Sequence, residues 1–377
     1  MSALPASRAR RGARHRIGAA AALVPLLIGA LAACGYGSEK EDDGKKPAAK
    51  AEGAKLDGLD SVRIGYFANV THATPLVGIQ EGLIQKELGG TEIKPFTFNA
   101  GPSEIEALNA GSIDIGWIGP SPAINGYTKS GGQNLRIISG SASGGVSLVV
   151  NPDKIKTPDD LKGKRIATPQ KGNTQDVALL NYLSEKGYDV DAQTGKGDVS
   201  VIRQDNKEIP TTFKQGGIDG AWVPEPTASK LVAEGGKAII DERDLWEGGK
   251  FVITNVIVSQ KFLKEHPKVV EAVLRGAVRT NDWIKANPDA AKKQVNAALK
   301  NLTGSQLADK VLDPAFKNVD VTNDPLAKTL RDEAQHAVEA GLLEKPKLDG
   351  IYDLTLLNKV LKAEGKPQAE DAGLGAS

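Results

Sequence analysis

The sequence predicts an α/β protein built from two similar lobes with mostly parallel sheets. The pattern G-x-I-D-x-x-W-[IV] occurs twice, at Gly111–Ile118 and at Gly216–Val223. An amphipathic stretch precedes each copy, and a loop that contains proline follows it. Glycine ends a helix readily because it tolerates the left-handed conformation of the cap, and the apolar run after the aspartate is typical of a buried strand. Two such helix–turn–strand–loop units indicate two related lobes.

Short apolar runs alternate with amphipathic stretches along most of the chain, a pattern typical of sheets covered by helices. Besides the two repeats, strands are expected at residues 61–66, 93–98, 134–139, 147–150, 199–203, 238–240 and 251–258. From Pro267 onward the pattern is almost wholly helical, with helices expected at 268–286, 288–299, 325–340 and 354–364.

The predicted domain organisation follows from these elements. Residues 59–150 and 255–365 are expected to form lobe 1, residues 151–254 lobe 2, and residues 366–377 a disordered tail. The apolar run 251–258 is interpreted as the return crossing to lobe 1. The two crossings, near Val150 and Thr254, are expected to act as hinges between the lobes.

The N-terminus predicts export. Five arginines and no acidic residue precede an apolar run that ends in Leu31-Ala32-Ala33-Cys34. This arrangement indicates a signal peptide over residues 1–33. Pro25 and the many Ala and Gly residues make this run a poor membrane-spanning helix. L-A-A-C resembles the bacterial lipobox, so Cys34 is expected to be lipidated. Residues 34–58 contain almost no large apolar side chains and are expected to form a flexible tether.

Charge and composition exclude several classes of function. The chain has 48 basic and 47 acidic residues, and removal of five arginines with the signal peptide leaves 43 basic residues and a net charge of −4. This balance does not favour nucleic acid as a partner. Cys34 is the only cysteine, so no disulfide is expected. Scattered histidines and the absence of catalytic fingerprints predict no metal site, no cofactor and no enzyme activity.

Three features resemble periplasmic binding proteins of ABC importers. They are D-D-L-K-G-K-R-I-A at residues 159–167, F-L-K-E-H-P-K-V-V at 262–270, and the two repeats with their loops. The chain looks most like the group that binds aliphatic sulfonates, taurine or nitrate. The resemblance implies the two-lobed type II fold, a small anion bound between the lobes, a membrane permease as partner, and a monomer tethered to the outer face of the membrane.

Five loops are predicted to meet at the carboxyl ends of the strands, where open α/β sheets bind ligands. Each enters a helix, and converging helix N-termini offer N–H groups and partial positive charge to an anion without requiring Lys or Arg. The loops span residues 71–75, 101–103, 119–122, 172–174 and 224–227. The candidate ligand-binding residues are His72, Thr74, Gly101, Ser103, Gly119, Pro120, Ser121, Asn173, Thr174, Trp222, Glu225 and Asn255.

Several of these residues have an alternative, structural interpretation. His72 either donates to the anion or is a plain loop residue, and Trp222, like Trp117, is either a ligand contact or a core residue. Glu225 either pairs with an amino group, as taurine requires, or starts the next helix. Thr254 and Asn255 interrupt an apolar strand, where a structural hydrogen bond or a ligand would satisfy them.

The alternatives to a sulfonate or taurine importer protein also stay open. The same fold serves nitrate-binding and thiamine-precursor-binding proteins. Thiamine-pyrimidine synthases are similar in fold, but the family is understood to need a histidine-rich site, and this chain has four histidines in all. A surface sensor or adhesion protein without a transport role is a third possibility.

Overall fold

A computed structural model describes residues 50–376 of the 377-residue chain. The predicted signal peptide, Cys34 and most of the tether lie outside these residues. The strands are β1 Ser61–Phe67, β2 Glu92–Phe98, β3 Ile115–Ile118, β4 Leu135–Gly144, β5 Val146–Val150, β6 Arg165–Thr168, β7 Ser200–Arg203, β8 Gly220–Pro224, β9 Lys237–Asp241, β10 Val252–Ser259 and β11 Val319–Val321. The α-helices are α1 Ala73–Gln80, α2 Leu83–Leu88, α3 Gly101–Asn109, α4 Pro120–Lys129, α5 Thr174–Glu185, α6 Ile209–Lys214, α7 Thr227–Ala233, α8 Gln260–Glu265, α9 Pro267–Ala286, α10 Pro288–Thr303, α11 Asp309–Lys317, α12 Ala327–Glu339 and α13 Thr355–Ala363.

The strands form two sheets, and the two-lobed α/β architecture predicted from the sequence is confirmed. Lobe 1 holds a sheet with the order β11-β4-β10-β3-β1-β2, and lobe 2 holds one with the order β7-β6-β8-β5-β9. Apart from β11, the two orders are equivalent: β2-β1-β3-β10-β4 matches β7-β6-β8-β5-β9, position by position. The two copies of the repeat provide β3 and β8, which occupy the same place in the two sheets.

The sheets are mixed, so the expectation of mostly parallel sheets is corrected. Strands β1, β2 and β3 pair in parallel, as do β6, β7 and β8. The fourth strand of each lobe is β10 or β5, and it runs antiparallel to both neighbours. Each of these two strands begins directly after the chain has crossed from the other lobe. The exchange of one strand between the lobes therefore produces the antiparallel pairs.

The crossings lie earlier in the chain than the expected hinges near Val150 and Thr254. The first crossing is at Gly144–Gly145, between β4 and β5, where both glycines have positive φ angles of 75° and 73°. This left-handed conformation favours glycine and turns the chain from one sheet to the other. The second crossing runs through residues 242–251, between β9 and β10. Thr254 and Asn255 thus belong to the lobe 1 sheet.

The cores of the two lobes are formed by the strands and the helices that cover them. Trp117 of β3 and Trp222 of β8 are fully buried in the lobe 1 and lobe 2 cores, respectively. The long C-terminal helices extend the lobe 1 core, because the buried faces of α9 and α10 belong to the same apolar cluster as β1 and β3. No helix within residues 50–376 is long and apolar enough to span a membrane.

The aspartate of each repeat binds an arginine on the strand that pairs in parallel with the repeat's own strand, β1 for β3 and β6 for β8. Asp114 accepts hydrogen bonds from the backbone and guanidinium of Arg63, and Asp219 does the same for Arg165. Each arginine also donates to the carbonyl of the glycine that opens the repeat, Gly111 or Gly216. The repeated Asp is therefore a structural residue that ties the helix end to the sheet.

We expect Asp219→Asn to destabilise the protein by about 2 kcal/mol at pH 7, because it weakens several charge-assisted hydrogen bonds to a half-exposed arginine. Burial disfavours ionisation of Asp219, but hydrogen bonds from Arg165 and Lys154 outweigh it and hold its pKa well below the usual range. The loss should therefore shrink as the pH falls below about 4, where the wild-type carboxylate is protonated in the unfolded chain. Urea denaturation at pH 7 and pH 3 measures this, with exposed Asp153→Asn as control. An equal loss at both pH values would contradict the charge-based explanation.

Both ends of the described chain are more ordered than the sequence predicted. The Glu52 N–H donates to the Gly89 carbonyl, and the Gly90 N–H donates to the Ala54 carbonyl. The end of the predicted tether therefore packs on lobe 1. The predicted disordered tail is also packed: Leu374 is fully buried, and its carbonyl accepts from the Tyr352 N–H. One buried leucine, backbone hydrogen bonds with Tyr352, and hydrogen bonds between the Ala369 backbone and the Asn358 side chain anchor a segment whose composition is otherwise polar.

Candidate ligand-binding crevice

A crevice between the two lobes is lined by residues from both. Lobe 1 contributes loops after β1, β2 and β3, and lobe 2 contributes the start of α5 and loops after β7 and β8. In this structure the lobes are closed on each other and leave a cavity of about 20 Å³. The lining residues are Phe67, Asn69, Thr71, His72, Asn99, Gly119, Asn173, Thr174, Gln175, Asn206, Pro224 and Ile253.

His72 presents a neutral imidazole to the crevice. Its Nδ1 accepts a hydrogen bond from the Phe67 N–H at 3.2 Å, and its ring stacks on Phe67 with 4.4 Å between ring centroids. Complete burial lowers the pKa of His72 to about 3, so the ring is uncharged at neutral pH. Because Nδ1 accepts, the proton of the neutral ring is on Nε2. His72 therefore offers one N–H donor and no positive charge.

Thr174, at the N-terminus of α5 in lobe 2, meets Gly119, which precedes α4 in lobe 1. A Cβ atom added at Gly119 would lie 2.3 Å from the Thr174 Oγ1, so only glycine allows this approach. The Thr174 side chain is buried, and its hydroxyl has no hydrogen-bond partner within residues 50–376. A buried unpaired hydroxyl is costly, and such a group at the meeting point of two helix N-termini is suited to bind a ligand.

A third helix N-terminus joins this point. Asn173 is the N-cap residue of α5, and its Oδ1 accepts from the N–H of Gly101, the first residue of α3, at 3.4 Å. Across the mouth of the crevice, Asn99 Nδ2 donates to Asp205 Oδ2 at 3.4 Å. These hydrogen bonds join lobe 1 to lobe 2. The N-termini of α3, α4 and α5 thus lie together at the crevice.

None of the crevice-lining residues in the described part of the chain is Lys, Arg, Asp or Glu. Asp205, at the mouth, lies 3.4 Å from the Lys207 Nζ, so its charge is balanced. Lys171, the one basic residue at the edge of a predicted loop, donates to Gln193 away from the lining residues. The crevice therefore provides hydrogen-bond donors and helix dipoles rather than charged side chains.

Of the twelve candidate ligand residues, His72, Gly119, Asn173 and Thr174 line the crevice, while three hydroxyl candidates are bonded elsewhere. Thr74 Oγ1 donates to Asn281 Oδ1 at 2.6 Å, and Ser103 Oγ donates to the Ala100 carbonyl at 2.8 Å. Ser121 Oγ points to Glu333 Oε2 at 3.4 Å. These hydroxyls hold the framework of lobe 1 together. Gly101 and Pro120 stand at helix starts beside the crevice without lining it.

Trp222, Glu225 and Asn255 also lie outside the crevice lining. Trp222 Nε1 donates to Glu242 Oε2 at 2.7 Å within the lobe 2 core. The Glu225 carboxylate accepts from the backbone and hydroxyl of Ser229, so it starts helix α7 as the structural interpretation proposed. Asn255 is fully buried in β10, and its side-chain amide has no hydrogen-bond partner among the described residues.

A buried pair of carboxyl groups lies near these residues. Glu242, at the start of the second crossing, and Glu333, on α12, are each 2% exposed. Burial raises the pKa of Glu333 well above its usual range, and the nearby Glu242 raises it further. Burial raises the pKa of Glu242 to about 7, against the lowering effect of hydrogen bonds from Trp222 and Trp246.

The sequence prediction missed three asparagines of the crevice. Asn69, Asn99 and Asn206 each follow a strand within a few residues, at the carboxyl ends of β1, β2 and β7. The sequence contained a signal for these asparagines. A short amide side chain that comes just after a predicted strand, before the next helix, is placed at the ligand edge of the sheet.

Comparison with known proteins identifies the family. Residues 57–299, more than half of the chain, match the NMT1-like family. The chain belongs to the NMT1-like family. It is 28% identical over 291 residues to the taurine-binding periplasmic protein of Escherichia coli (strain K12), with 74% of this chain and 87% of that protein covered.

Solved structures share the fold of this chain. The alkanesulfonate-binding protein SsuA from Xanthomonas axonopodis pv. citri, bound to MOPS, superposes with a TM-score of 0.63 at 22% identity, covering 78% of this chain and 96% of SsuA. The periplasmic nitrate-binding protein NrtA from Synechocystis PCC 6803 gives a TM-score of 0.68 at 15% identity, covering 81% and 89%. The predicted resemblance to this group of binding proteins is confirmed.

Proposed function

We propose that this protein is an exported solute-binding protein that captures a small oxyanion, in the first place an aliphatic sulfonate, and delivers it to an ABC permease. The observation that carries the proposal is the uncharged crevice in which three helix N-termini, the Nε2–H of His72 and the unpaired Thr174 hydroxyl converge. Sulfonate oxygens accept several hydrogen bonds and stay ionised at neutral pH, so this set of donors suits them.

Binding requires the lobes to separate and close. The crevice volume of about 20 Å³ has room for about one water molecule, which is less than a sulfonate needs. A ligand therefore enters only when lobe 2 moves away from lobe 1. The two crossings at Gly144–Gly145 and residues 242–251 are where the chain joins the lobes, and we place the hinge there.

The uncharged lining favours an alkanesulfonate over taurine. Taurine carries an ammonium group, and a desolvated ammonium needs a carboxylate partner. Glu225, the acidic residue predicted for this role, is bonded to Ser229 and Asn318 outside the crevice. Nitrate, the ligand in the name of NrtA, has no ammonium group either and is the second candidate.

We expect ethanesulfonate to bind about tenfold or more tightly than taurine, because the two ligands differ only in the ammonium group and one unpaired charge costs at least 1.4 kcal/mol. Calorimetric titration of the processed protein with ethanesulfonate, taurine and nitrate measures the difference. Tighter binding of taurine would contradict an uncharged site and point to Asp205 at the crevice mouth, which Asp205→Asn would then test. Strong binding of nitrate alone would favour the second candidate.

The relatives named above are binding proteins, which favours binding over a thiamine-pyrimidine-synthase-like reaction.

Membrane tethering is the part of the proposal that rests on Cys34 and the lipobox-like motif alone. We expect Cys34→Ala to leave the two lobes folded but to release the protein from the membrane or leave its precursor unprocessed. Membrane fractionation with mass determination of the N-terminus checks this. Normally processed, membrane-bound protein would exclude lipidation at Cys34.

A further inference from the structure

A second cavity, of about 490 Å³, lies on lobe 1 at the base of the C-terminal helices. Its volume falls in the range of small-molecule sites, roughly 300–1,000 Å³. Apolar side chains from the segment before α1, from α1 itself, and from α9, α11 and β11 form its floor. We name this cavity the hinge pocket and define its floor by Val70, Ala73, Ile284, Phe316 and Val319.

The rim of the hinge pocket carries an excess of positive charge. Lys285, Lys317 and Asp320 border it. The Asp320 carboxylate lies 3.0 Å from the Arg243 guanidinium, so its negative charge is already balanced. Lys285 and Lys317 are exposed, and neither has an ion pair or hydrogen-bond partner within residues 50–376. Two unpaired cations therefore stand above an apolar floor.

The hinge pocket touches the segments that join the lobes. The Val70 N–H donates to the Glu225 carbonyl of lobe 2 at 3.1 Å. A Cβ atom added at Gly145 in the first crossing would lie 2.5 Å from the Val319 Cγ2, so the crossing packs against the pocket wall. His72, two residues after Val70, lines the crevice. The short segment 70–72 thus forms a wall of both cavities.

We propose that the hinge pocket is a second binding site that takes a single-chain amphipathic anion. Its carboxylate or sulfonate head pairs with Lys285 and Lys317, and its hydrocarbon chain covers the apolar floor. The charges exclude a cationic amphiphile, and the floor discriminates against a short-chain anion. Each methylene that leaves water contributes about fourfold to affinity. This site differs from the crevice in both size and charge, and it does not depend on the ligand assigned to the crevice.

The test uses octanoate as the probe, with octylammonium as a ligand of the same length and opposite charge. We expect calorimetric binding of octanoate to the processed protein in the presence of saturating ethanesulfonate, no binding of octylammonium, and binding of butanoate about two hundredfold weaker than octanoate. The Lys285→Gln/Lys317→Gln variant should lose about tenfold or more in octanoate affinity. The matched control is Lys293→Gln/Lys300→Gln, which removes two exposed lysines from α10 and should bind octanoate as the wild type does.

Methyl NMR spectra locate the site during the same titration. We expect the signals of Ile284, Val319 and Val321 to shift with octanoate, and that of Ile253 in the crevice to stay unchanged. Failure of octanoate to bind, or equal binding of octylammonium, would overturn the proposal. Unchanged affinity of the Lys285/Lys317 variant, or shifts confined to Ile253, would also overturn it. If ethanesulfonate itself does not bind, the crevice assignment fails, and octanoate titrated alone still decides the hinge pocket.

Discussion

Gly119→Leu is expected to lower the affinity for the crevice ligand by about a hundredfold or more without unfolding the protein. A Cβ atom at position 119 would lie 2.3 Å from the Thr174 Oγ1, and a leucine adds further atoms in the same direction. The backbone at Gly119, with φ −68° and ψ 157°, is accessible to any residue, so the clash arises only when the lobes close. If only about 1% of the variant molecules can close, the apparent affinity falls to about 1% of the wild-type value, a loss of about a hundredfold.

Calorimetry of the variant with ethanesulfonate measures this loss, and thermal unfolding verifies the fold. Small-angle scattering adds a geometric readout: the wild type should become more compact with ligand, and Gly119→Leu should not. Gly101→Leu is an unsuitable control, because a Cβ atom there would lie 2.2 Å from Pro122 within lobe 1. Gly172→Ala is the better control. Gly172 lies next to the crevice and has no atom within 4 Å of its Cβ position, but its φ is positive at 73°, so this variant tests the effect of backbone strain alone. Wild-type affinity and compaction in Gly119→Leu would refute closure through this contact.

The role of the Thr174 hydroxyl can be separated from this steric effect. Thr174→Val keeps the shape of the side chain and removes the donor, so we attribute its loss of affinity, about ten- to a hundredfold, to one hydrogen bond to a charged group. Ser103→Ala is the matched control, because its hydroxyl is bonded to the Ala100 carbonyl and not to the crevice. Lys171→Ala should also leave affinity unchanged, since the crevice-lining residues among those described include no lysine.

The sequence predicted the lobes and part of the crevice because both depend on local patterns. Gly119 follows β3 directly and Thr174 begins the helix that comes after β6, so the topology alone places both at the ligand edge. Ser121 also stands at a helix start and Trp222 lies near the end of β8, but their partners, Glu333 and Glu242, come from other elements, 212 and 20 residues further along the chain. No periodicity reveals that a carboxyl group from α12 will meet α4. Contacts of this kind decided which candidates face the ligand and which hold the framework.

The positions of the crossings escaped prediction for a related reason. The apolar run at residues 146–150 looks like the end of lobe 1, and the same residues form the exchanged strand of lobe 2. Strand composition reports burial and not the sheet to which a strand belongs. The Gly144–Gly145 pair was the available local signal, since two consecutive left-handed residues favour glycine.

The buried carboxyl pair makes stability depend on pH in a direction opposite to that of most acidic residues. Glu242 has a pKa of about 7 in the folded protein, raised from an ordinary value of 4.5 mainly by burial. Between these two values the folded state holds a proton that the unfolded chain releases. The stabilisation is therefore complete below about pH 4.5 and is lost as the pH rises through 7. The groups that surround the pair reinforce this, because Asp241 and Asp332 are acidic and burial lowers the pKa of His336.

We therefore expect Glu242→Gln to be more stable than the wild type by on the order of 3 kcal/mol at pH 8.5, and nearly equal in stability at pH 4.5. Glutamine keeps an oxygen that accepts from Trp222 Nε1 and carries no charge at either pH. Urea denaturation at the two pH values measures the difference, and Glu333→Gln should act in the same direction because burial raises its pKa as well. Glu247→Gln, at an exposed position of the same crossing, is the matched control and should not change the pH profile. The contrary outcome is that the stability of the wild type rises between pH 5 and pH 8.5 and the stability of Glu242→Gln rises in parallel with it. That result would show that the Glu242 carboxyl group is ionised in the folded protein.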